Sequence, residues 1–326
     1  MAMARPMRSS QAVPADWLHQ QLGVRLIGQS AVGGGCIHSG WCLQLEGDGG
    51  PRLFAKTSPR SSLPLLEAEA EGLAALAIAA EGSGLLVPQP LALGVAEDRA
   101  LLVLPWLECR PAAGGDWERL GQGLARMHRA SLERACAPGD RSDAHGWWRD
   151  NWIGSGPQPN GWCEAWSRFF AERRLAPQAE RLAQSGERLP GMEELLERLP
   201  RLLQGHQPPP CLVHGDLWSG NVMAGLRPAP QADSQCLGSE SKRAAAGALF
   251  DPAVHRGDRE VDLAMARLFG GFPSAFFEGY DKVWPLPADH GNRVDLYNLY
   301  HLLNHANLFG GGYREQARQA IVRCLA

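Results

Sequence analysis

At 326 residues the chain is longer than a single small core needs, and 44% hydrophobic with 21% charged residues is the balance of an ordinary globular protein. A formal net charge of −3 offers no bulk attraction for nucleic acid or an anionic membrane. Eight cysteines with no C-x-x-C pair exclude a zinc knuckle and a disulfide framework, and predict reduced thiols. No run approaches the roughly 18 apolar residues of a membrane span, and Met1 to Val13 lacks a signal-peptide core; a soluble, cytoplasmic protein is expected.

In chain order, Leu22 to Gln29 is a short apolar stretch, followed by Gly33-Gly34-Gly35. The runs 41–45 and 52–56 flank a Gly/Asp turn at 47–50, which predicts a β-hairpin. Leu65 to Ala80 is rich in Ala, Leu and Glu and reads as a helix. The segments 91–95 and 100–104 read as a second strand pair. Beyond Pro111 apolar residues recur at helical spacing over 117–130, 162–176, 192–203, 261–269 and 296–308. Between these lie short apolar segments at 211–213 and 248–250. The stretch from Ala224 to Gly247 has almost no large apolar residues and reads as a mobile surface insertion. The pattern is α+β: an N-terminal antiparallel β lobe with one main helix over 1–107, then a larger, mostly helical lobe over 108–326.

The sharpest chemical signal is His214-Gly215-Asp216-Leu217-Trp218-Ser219-Gly220-Asn221. A carboxylate followed five positions later by Asn, in a loop after a strand, suits a base for an attacking hydroxyl and a neutral oxygen ligand for Mg2+. The competing reading is a turn in which Asp216 caps backbone amides. Asp251, in Phe250-Asp251-Pro252-Ala253 at the end of an apolar run, suits a second Mg2+ ligand; by itself it equally well starts a turn before Pro252. Asp258, Glu260 and Asp262 open a helix, where acids suit the positive end of the dipole. Asp262 is expected to turn inward and hold the backbone of the catalytic loop.

In the N-terminal part, Gly33, Gly34, Gly35, Cys36 and Ile37 lie between strands and leave backbone amides bare for phosphate, although a plain hairpin turn explains a glycine run too. Lys56 on the next strand and Glu69 on the helix after it fit a lysine braced against ATP phosphates, with Glu67 and Glu71 as competitors. Pro105, Trp106 and Leu107 fall where a linker would offer backbone groups to adenine.

Assembled in order, glycine loop, lysine, glutamate, linker, catalytic loop and Mg2+ aspartate have the layout of the protein-kinase-like fold. His-Gly-Asp and Asp-Pro-Ala resemble the aminoglycoside phosphotransferase group within it. The chain is most similar to the fructosamine (ketosamine) kinases, on 33–38, Asp150 to Gly154, Pro157 to Asn160, Trp166, Phe169-Phe170, Arg173, 214–221, 250–253, 257–264, 276–280 and 298–305. It departs from that family in the long segment between Asn221 and Phe250. The resemblance implies a two-lobed enzyme that phosphorylates the 3-hydroxyl of sugar–amine adducts with ATP and Mg2+ and so leads to deglycation. Ribulosamines or erythrulosamines are favoured over fructosamines. Trp218 is expected to pack on the acceptor sugar, Asn304 and His305 to bind its hydroxyls, and His214 to brace the loop. A thiol at Cys36 beside the phosphate loop raises the expectation of oxidative inactivation through an intermolecular disulfide, in a chain otherwise monomeric. The alternatives are a kinase of the aminoglycoside or choline type and a non-catalytic ATP-binding pseudokinase.

Overall fold

The computed structural model describes residues 12–33, 38–226 and 245–326. The chain divides into two compact units, Met1–Ala74 with Pro88–Leu107, and Ala75–Val87 with Glu108–Ala326. Gly34, Gly35, Cys36 and Ile37, and with them the expected Cys36 disulfide, lie outside the described residues. The six described cysteines, Cys42, Cys109, Cys136, Cys163, Cys211 and Cys324, are unpaired thiols. No helix among the described residues is long and apolar enough to cross a membrane.

The first unit contains α1 (Ala15–Leu22), β1 (Leu26–Val32), β2 (Ser39–Leu45), β3 (Arg52–Pro59), the start of α2 (Leu63–Ala79), β4 (Ala92–Ala96) and β5 (Arg99–Pro105). The strands form one antiparallel five-stranded sheet in the order β1-β2-β3-β5-β4. Successive side chains on a strand point to opposite faces. In register, Trp41 lies beside Ala55 and Ala55 beside Val103, and this face closes over Val13, Trp17 and Leu18 of the N-terminal segment and α1. The neighbour of Ala55, Lys56, is therefore turned to the other face, where it meets α2. Helix α1 carries Trp17 and Leu18 inward, and no motif in the sequence had singled it out.

The second unit runs through β6 (Cys109–Arg110), α3 (Gly115–Ser131), β7 (Asn151–Ile153), β8 (Gly156–Gln158), α4 (Trp166–Phe169), α5 (Ala176–Gln184) and α6 (Met192–Leu202). It continues with β9 (Cys211–Val213), β10 (Val222–Leu226), β11 (Ala245–Leu249), β12 (His255–Gly257), α7 (Glu260–Leu268), α8 (Ser274–Val283), α9 (Val294–Phe309) and α10 (Gly312–Leu325). Helices α3 and α8 approach until only glycine fits: a Cβ on Gly121 would come 1.9 Å from the Phe276 carbonyl oxygen, and one on Gly279 2.3 Å from that of Glu118. Where one helix is expected over 162–176, a π-helical stretch, Phe170–Leu175, joins α4 to α5 and carries the buried Arg174.

The insertion expected over 224–247 is corrected at both ends. Ala224–Leu226 belongs to β10 and Ala245–Gly247 to β11, and the two pair antiparallel from Val222 opposite Leu249 to Leu226 opposite Ala245. Their small residues pack where large ones would not fit: a Cβ on Gly247 would lie 2.9 Å from the Leu120 and Leu85 side chains. Ala and Gly, read as too poor in apolar surface to order themselves, are here the residues the space demands. Residues 227–244 lie outside the described part.

Candidate active site

Strand β9 pairs with β12, Val213 opposite His255, and the loop 214–221 leaves the end of β9. Gly215 has φ +81, and a Cβ there would come 2.0 Å from the Ala253 carbonyl oxygen, so no larger residue fits. His214 donates from Nε2 to the Phe250 carbonyl (2.8 Å), which leaves Nδ1 to accept the Asp216 N–H (3.3 Å). Burial depresses its pKa and keeps the ring neutral, which suits a brace and not a proton carrier. Asp262, in the first turn of α7, accepts the His214 N–H (2.7 Å) and the Gly215 N–H (2.8 Å). His128 Nε2 also donates to Asp262 (3.1 Å), while His128 Nδ1 accepts from the Tyr280 hydroxyl (2.9 Å). Burial alone would raise the pKa of Asp262, but the hydrogen bonds from His128 and Gly215 and the nearby imidazoles outweigh it and hold it low. His128 and Tyr280 thus extend the loop's support two residues beyond those the sequence singled out.

Asp216, Asn221 and Asp251 come together. The Asn221 side-chain amide donates to the Asp216 carbonyl (2.9 Å), to Asp216 Oδ2 (3.3 Å) and to the Asp251 carbonyl (3.4 Å). With Nδ2 used in this way, the oxygen of the same amide is oriented as the acceptor. Asp251 is exposed and takes φ +51, a left-handed conformation uncommon outside glycine. Burial raises the pKa of Asp216 to about 7, with the Asp251 charge adding to the rise and the Asn221 hydrogen bond opposing it. Two carboxylates and an amide oxygen are hard donors of the kind Mg2+ takes, and the mutual repulsion of the acids is what a dication would relieve.

In the first unit Lys56 Nζ meets Glu69 Oε1 at 2.6 Å, both side chains buried, so that among three helix glutamates it is Glu69 that faces the lysine. Pro105 ends β5 opposite Leu53, Trp106 lies under the Arg52 guanidinium at 4.9 Å, and Leu107 is half-buried. Gly33 is exposed, with nothing within 4 Å of a Cβ built on it.

Trp218 is 39% exposed, its ring folded over Gly220, where a Cβ would strike the indole at 2.2 Å. Of the two other expected acceptor ligands, Asn304 is turned into the core and His305 is half-buried. Asn304 is 2% exposed; its Oδ1 accepts from Gln178 Nε2 (3.4 Å) and its Nδ2 reaches the Ile153 carbonyl (3.5 Å), so it ties α9 to α5 and β7. His305 Nδ1 donates to the His301 carbonyl (2.8 Å), and its ring packs among Phe269, Phe309 and Tyr313. Sequence reasoning passed over Asn298 and His301, one turn apart on α9, whose Oδ1 and Nδ1 are buried without a partner. Their signal was polar residues at 298, 301 and 304 in an apolar helix. A further group of metal-type side chains, His206, Asp258 and Glu260, is already paired within itself and with Tyr297 and Arg293. It fastens the start of α7.

His145, His255 and His301 are buried, and burial depresses their pKa values, to about 4 for His145 and about 3 for His301. Unfolded histidines take up protons below about pH 6.5. The unfolded state therefore binds more protons on acidification, and stability present above pH 6.5 is lost as pH falls. From pH 7.5 to 5.5 each such group costs on the order of 1 kcal/mol by linkage, and His214, depressed in the same way, adds to the sum. Asp216, raised in the folded state, works in the opposite direction and offsets part of the sum. A net loss on the order of 2 kcal/mol and a Tm lower by a few degrees are expected at pH 5.5. A Tm that rises over this interval would contradict the balance.

A lysine–glutamate pair beside a small antiparallel sheet in one unit, and two carboxylates with an amide at the ends of short strands in the other, are the parts of a phosphotransferase of protein-kinase-like fold. A hygromycin-binding aminoglycoside phosphotransferase structure shares this fold at TM-score 0.59 and 16% identity, over 95% of this chain and 96% of that one. The family model for fructosamine kinase matches residues 10–326, and the chain belongs to that family. A probable ketoamine kinase of Synechocystis is 39% identical over 320 residues, 96% of this chain and 98% of that protein. A chloroplastic protein-ribulosamine 3-kinase of rice is 33% identical over 308 residues, 91% of this chain and 78% of that protein. The structure of a candidate fructosamine-3-kinase from Thermobifida fusca superposes at TM-score 0.75 with 30% identity, covering 95% of this chain and 98% of that one.

Proposed function

We propose that the protein is an ATP- and Mg2+-dependent ketosamine 3-kinase, acting in the cytoplasm on ribulosamine- or erythrulosamine-type adducts in preference to fructosamines. The observation that carries the reading is the Asn221 amide, bonded at once to Asp216 and to the backbone of Asp251, which joins a base to two metal-type oxygens. The names of the cyanobacterial and rice relatives supply the acceptor class. Asp216 accepts the proton of the 3-hydroxyl as it attacks the γ-phosphate. Asn221 and Asp251 would hold Mg2+, which supplies charge neutralisation at the phosphates. Lys56, steadied by Glu69, steers phosphate oxygens, and the backbone at 33–37 and 105–107 serves the rest of the nucleotide. His214 and Asp262 keep the loop in shape. The phosphate placed on the sugar is a good leaving group, so the adduct then falls apart and releases the amine.

The test is ATP consumption with Mg2+ on a ribulosamine, an erythrulosamine, a fructosamine, an aminoglycoside and buffer alone. Turnover on the ketosamines, fastest on the two shorter sugars, is expected; turnover on the aminoglycoside only would keep the chemistry and overturn the acceptor. Trp218 provides a flat face for sugar C–H groups. Trp218→Ala should raise the KM for the ketosamine by about 3- to 10-fold, the worth of one aromatic contact, with the KM for ATP unchanged. An unaltered ketosamine KM would remove Trp218 from the acceptor site.

A further inference from the structure

The segment 150–160 carries a set of amides, Asn151, Gln158 and Asn160, for which phosphoryl transfer has no direct use. All three are at most 5% exposed and form one cluster: Asn151 Oδ1 accepts from Gln158 Nε2 (2.8 Å) and from Asn160 Nδ2 (2.7 Å). Two bonds leave it in one direction. Asn151 Nδ2 donates to the Val254 carbonyl (2.8 Å), and Gln158 Nε2 to that of Ala253 (3.1 Å). These carbonyls stand two and three residues after Asp251.

Behind the cluster, the Tyr300 hydroxyl donates to Gln158 Oε1 (2.7 Å). Arg174, 1% exposed, donates to Asn160 Oδ1 (2.7 Å) and to the Pro159 carbonyl (2.6 Å). Its guanidinium lies over the Phe169 ring at 4.6 Å and makes no ion pair among the described residues. Its Nε is buried without a partner, so the cation rests on the bonds of its two terminal nitrogens and losing one of them is costly, which favours a rigid arrangement.

Asp251 needs that rigidity. A non-glycine residue at φ +51 persists only where its surroundings over-determine it. The Phe250 N–H is bound to the Asn221 carbonyl (3.0 Å) and the Ala253 N–H to that of His214 (2.9 Å). The amide cluster takes the carbonyls of Ala253 and Val254, two and three residues beyond Asp251. We propose that Asn151, Gln158 and Asn160, backed by Arg174 and Tyr300, are positioning residues that aim the Asp251 carboxylate at its metal. The inference rests on the reading of Asp251 as a metal ligand.

Binding of Mn2+ in the presence of a non-hydrolysable ATP analogue, followed by electron paramagnetic resonance, reads the effect without turnover. Gln158→Met keeps the side chain's length and removes both hydrogen-bonding groups. It should weaken Mn2+ binding about tenfold, as loss of an outer-shell partner does, with affinity for the analogue alone unchanged. Tyr300→Phe removes only the hydroxyl behind Gln158 and should weaken Mn2+ binding about two- to threefold; it carries the test if Gln158→Met does not fold. Asp251→Asn is measured alongside. Wild-type Mn2+ affinity in the folded Gln158 and Tyr300 variants, whatever their Tm, overturns the positioning role if Asp251→Asn has lost the metal. Wild-type affinity in Asp251→Asn overturns the metal-ligand reading beneath it.

Discussion

Asp216→Asn should lower kcat on a ketosamine by about 10²- to 10⁴-fold, the usual worth of a positioned general base. The amide has the same shape and can still meet Asn221, but it cannot take the proton of the attacking hydroxyl. Stability should not fall, and a small rise is expected. Burial and the Asp251 charge both oppose ionisation of Asp216, which is why its pKa stands near 7, and a neutral side chain removes that opposition. Steady-state kinetics with a melting curve decide the matter. A kcat within fivefold of wild type would mean that the hydroxyl proton leaves by another route.

The largest loss of stability is expected at Arg256, which lies on β12 and is fully buried. Its guanidinium makes two bonds to Asp140 (2.5 and 2.6 Å) and reaches the carbonyls of Ser131 (2.9 Å), Pro210 (3.0 Å) and Arg134 (2.8 Å). Arg256→Met fills much of the volume but leaves the buried Asp140 carboxylate with only the Cys136 N–H (2.7 Å) and takes a donor from three carbonyls. Breaking a buried pair from one side costs about 3–5 kcal/mol, and the carbonyls place the expected value at the upper end. Much of this should return in the double variant Arg256→Met, Asp140→Leu, because the isolated charge is then gone. Denaturant midpoints measure both. A single-variant loss under about 1 kcal/mol would show that water or a neighbour replaces the guanidinium.

Arg256 also marks a limit of reading by motif. The run from Gly257 to Ala264 stood out as charged, while His255 and Arg256 immediately before it did not. Nothing local distinguishes a buried arginine from a solvated one, since three of its partners, Asp140, Ser131 and Arg134, are over a hundred residues away and the fourth, Pro210, is 46 away. The same holds for Asn151, Gln158 and Asn160: the residues that justify them, Ala253, Val254 and Tyr300, come from two distant stretches of chain.

Local pattern was enough where the chemistry is local. The alternation in 41–45 and 52–56 with a Gly/Asp turn between them is a hairpin, and the five-residue spacing from Asp216 to Asn221 lets one short loop bring base and amide together. The sequence by itself therefore determined the first hairpin, the helix after it and the second strand pair of the first unit, several helices of the second, and the presence of a phosphotransferase's polar groups, because periodicity and turn residues act over a few positions. Only the tertiary structure decided that Glu69 and not Glu67 or Glu71 faces Lys56, that Asn304 turns into the core, and that small residues at 224–226 and 245–247 close a strand pair. Each is a choice among residues of one type, settled by which helix face or strand register packing leaves available, and packing joins positions that the sequence keeps far apart.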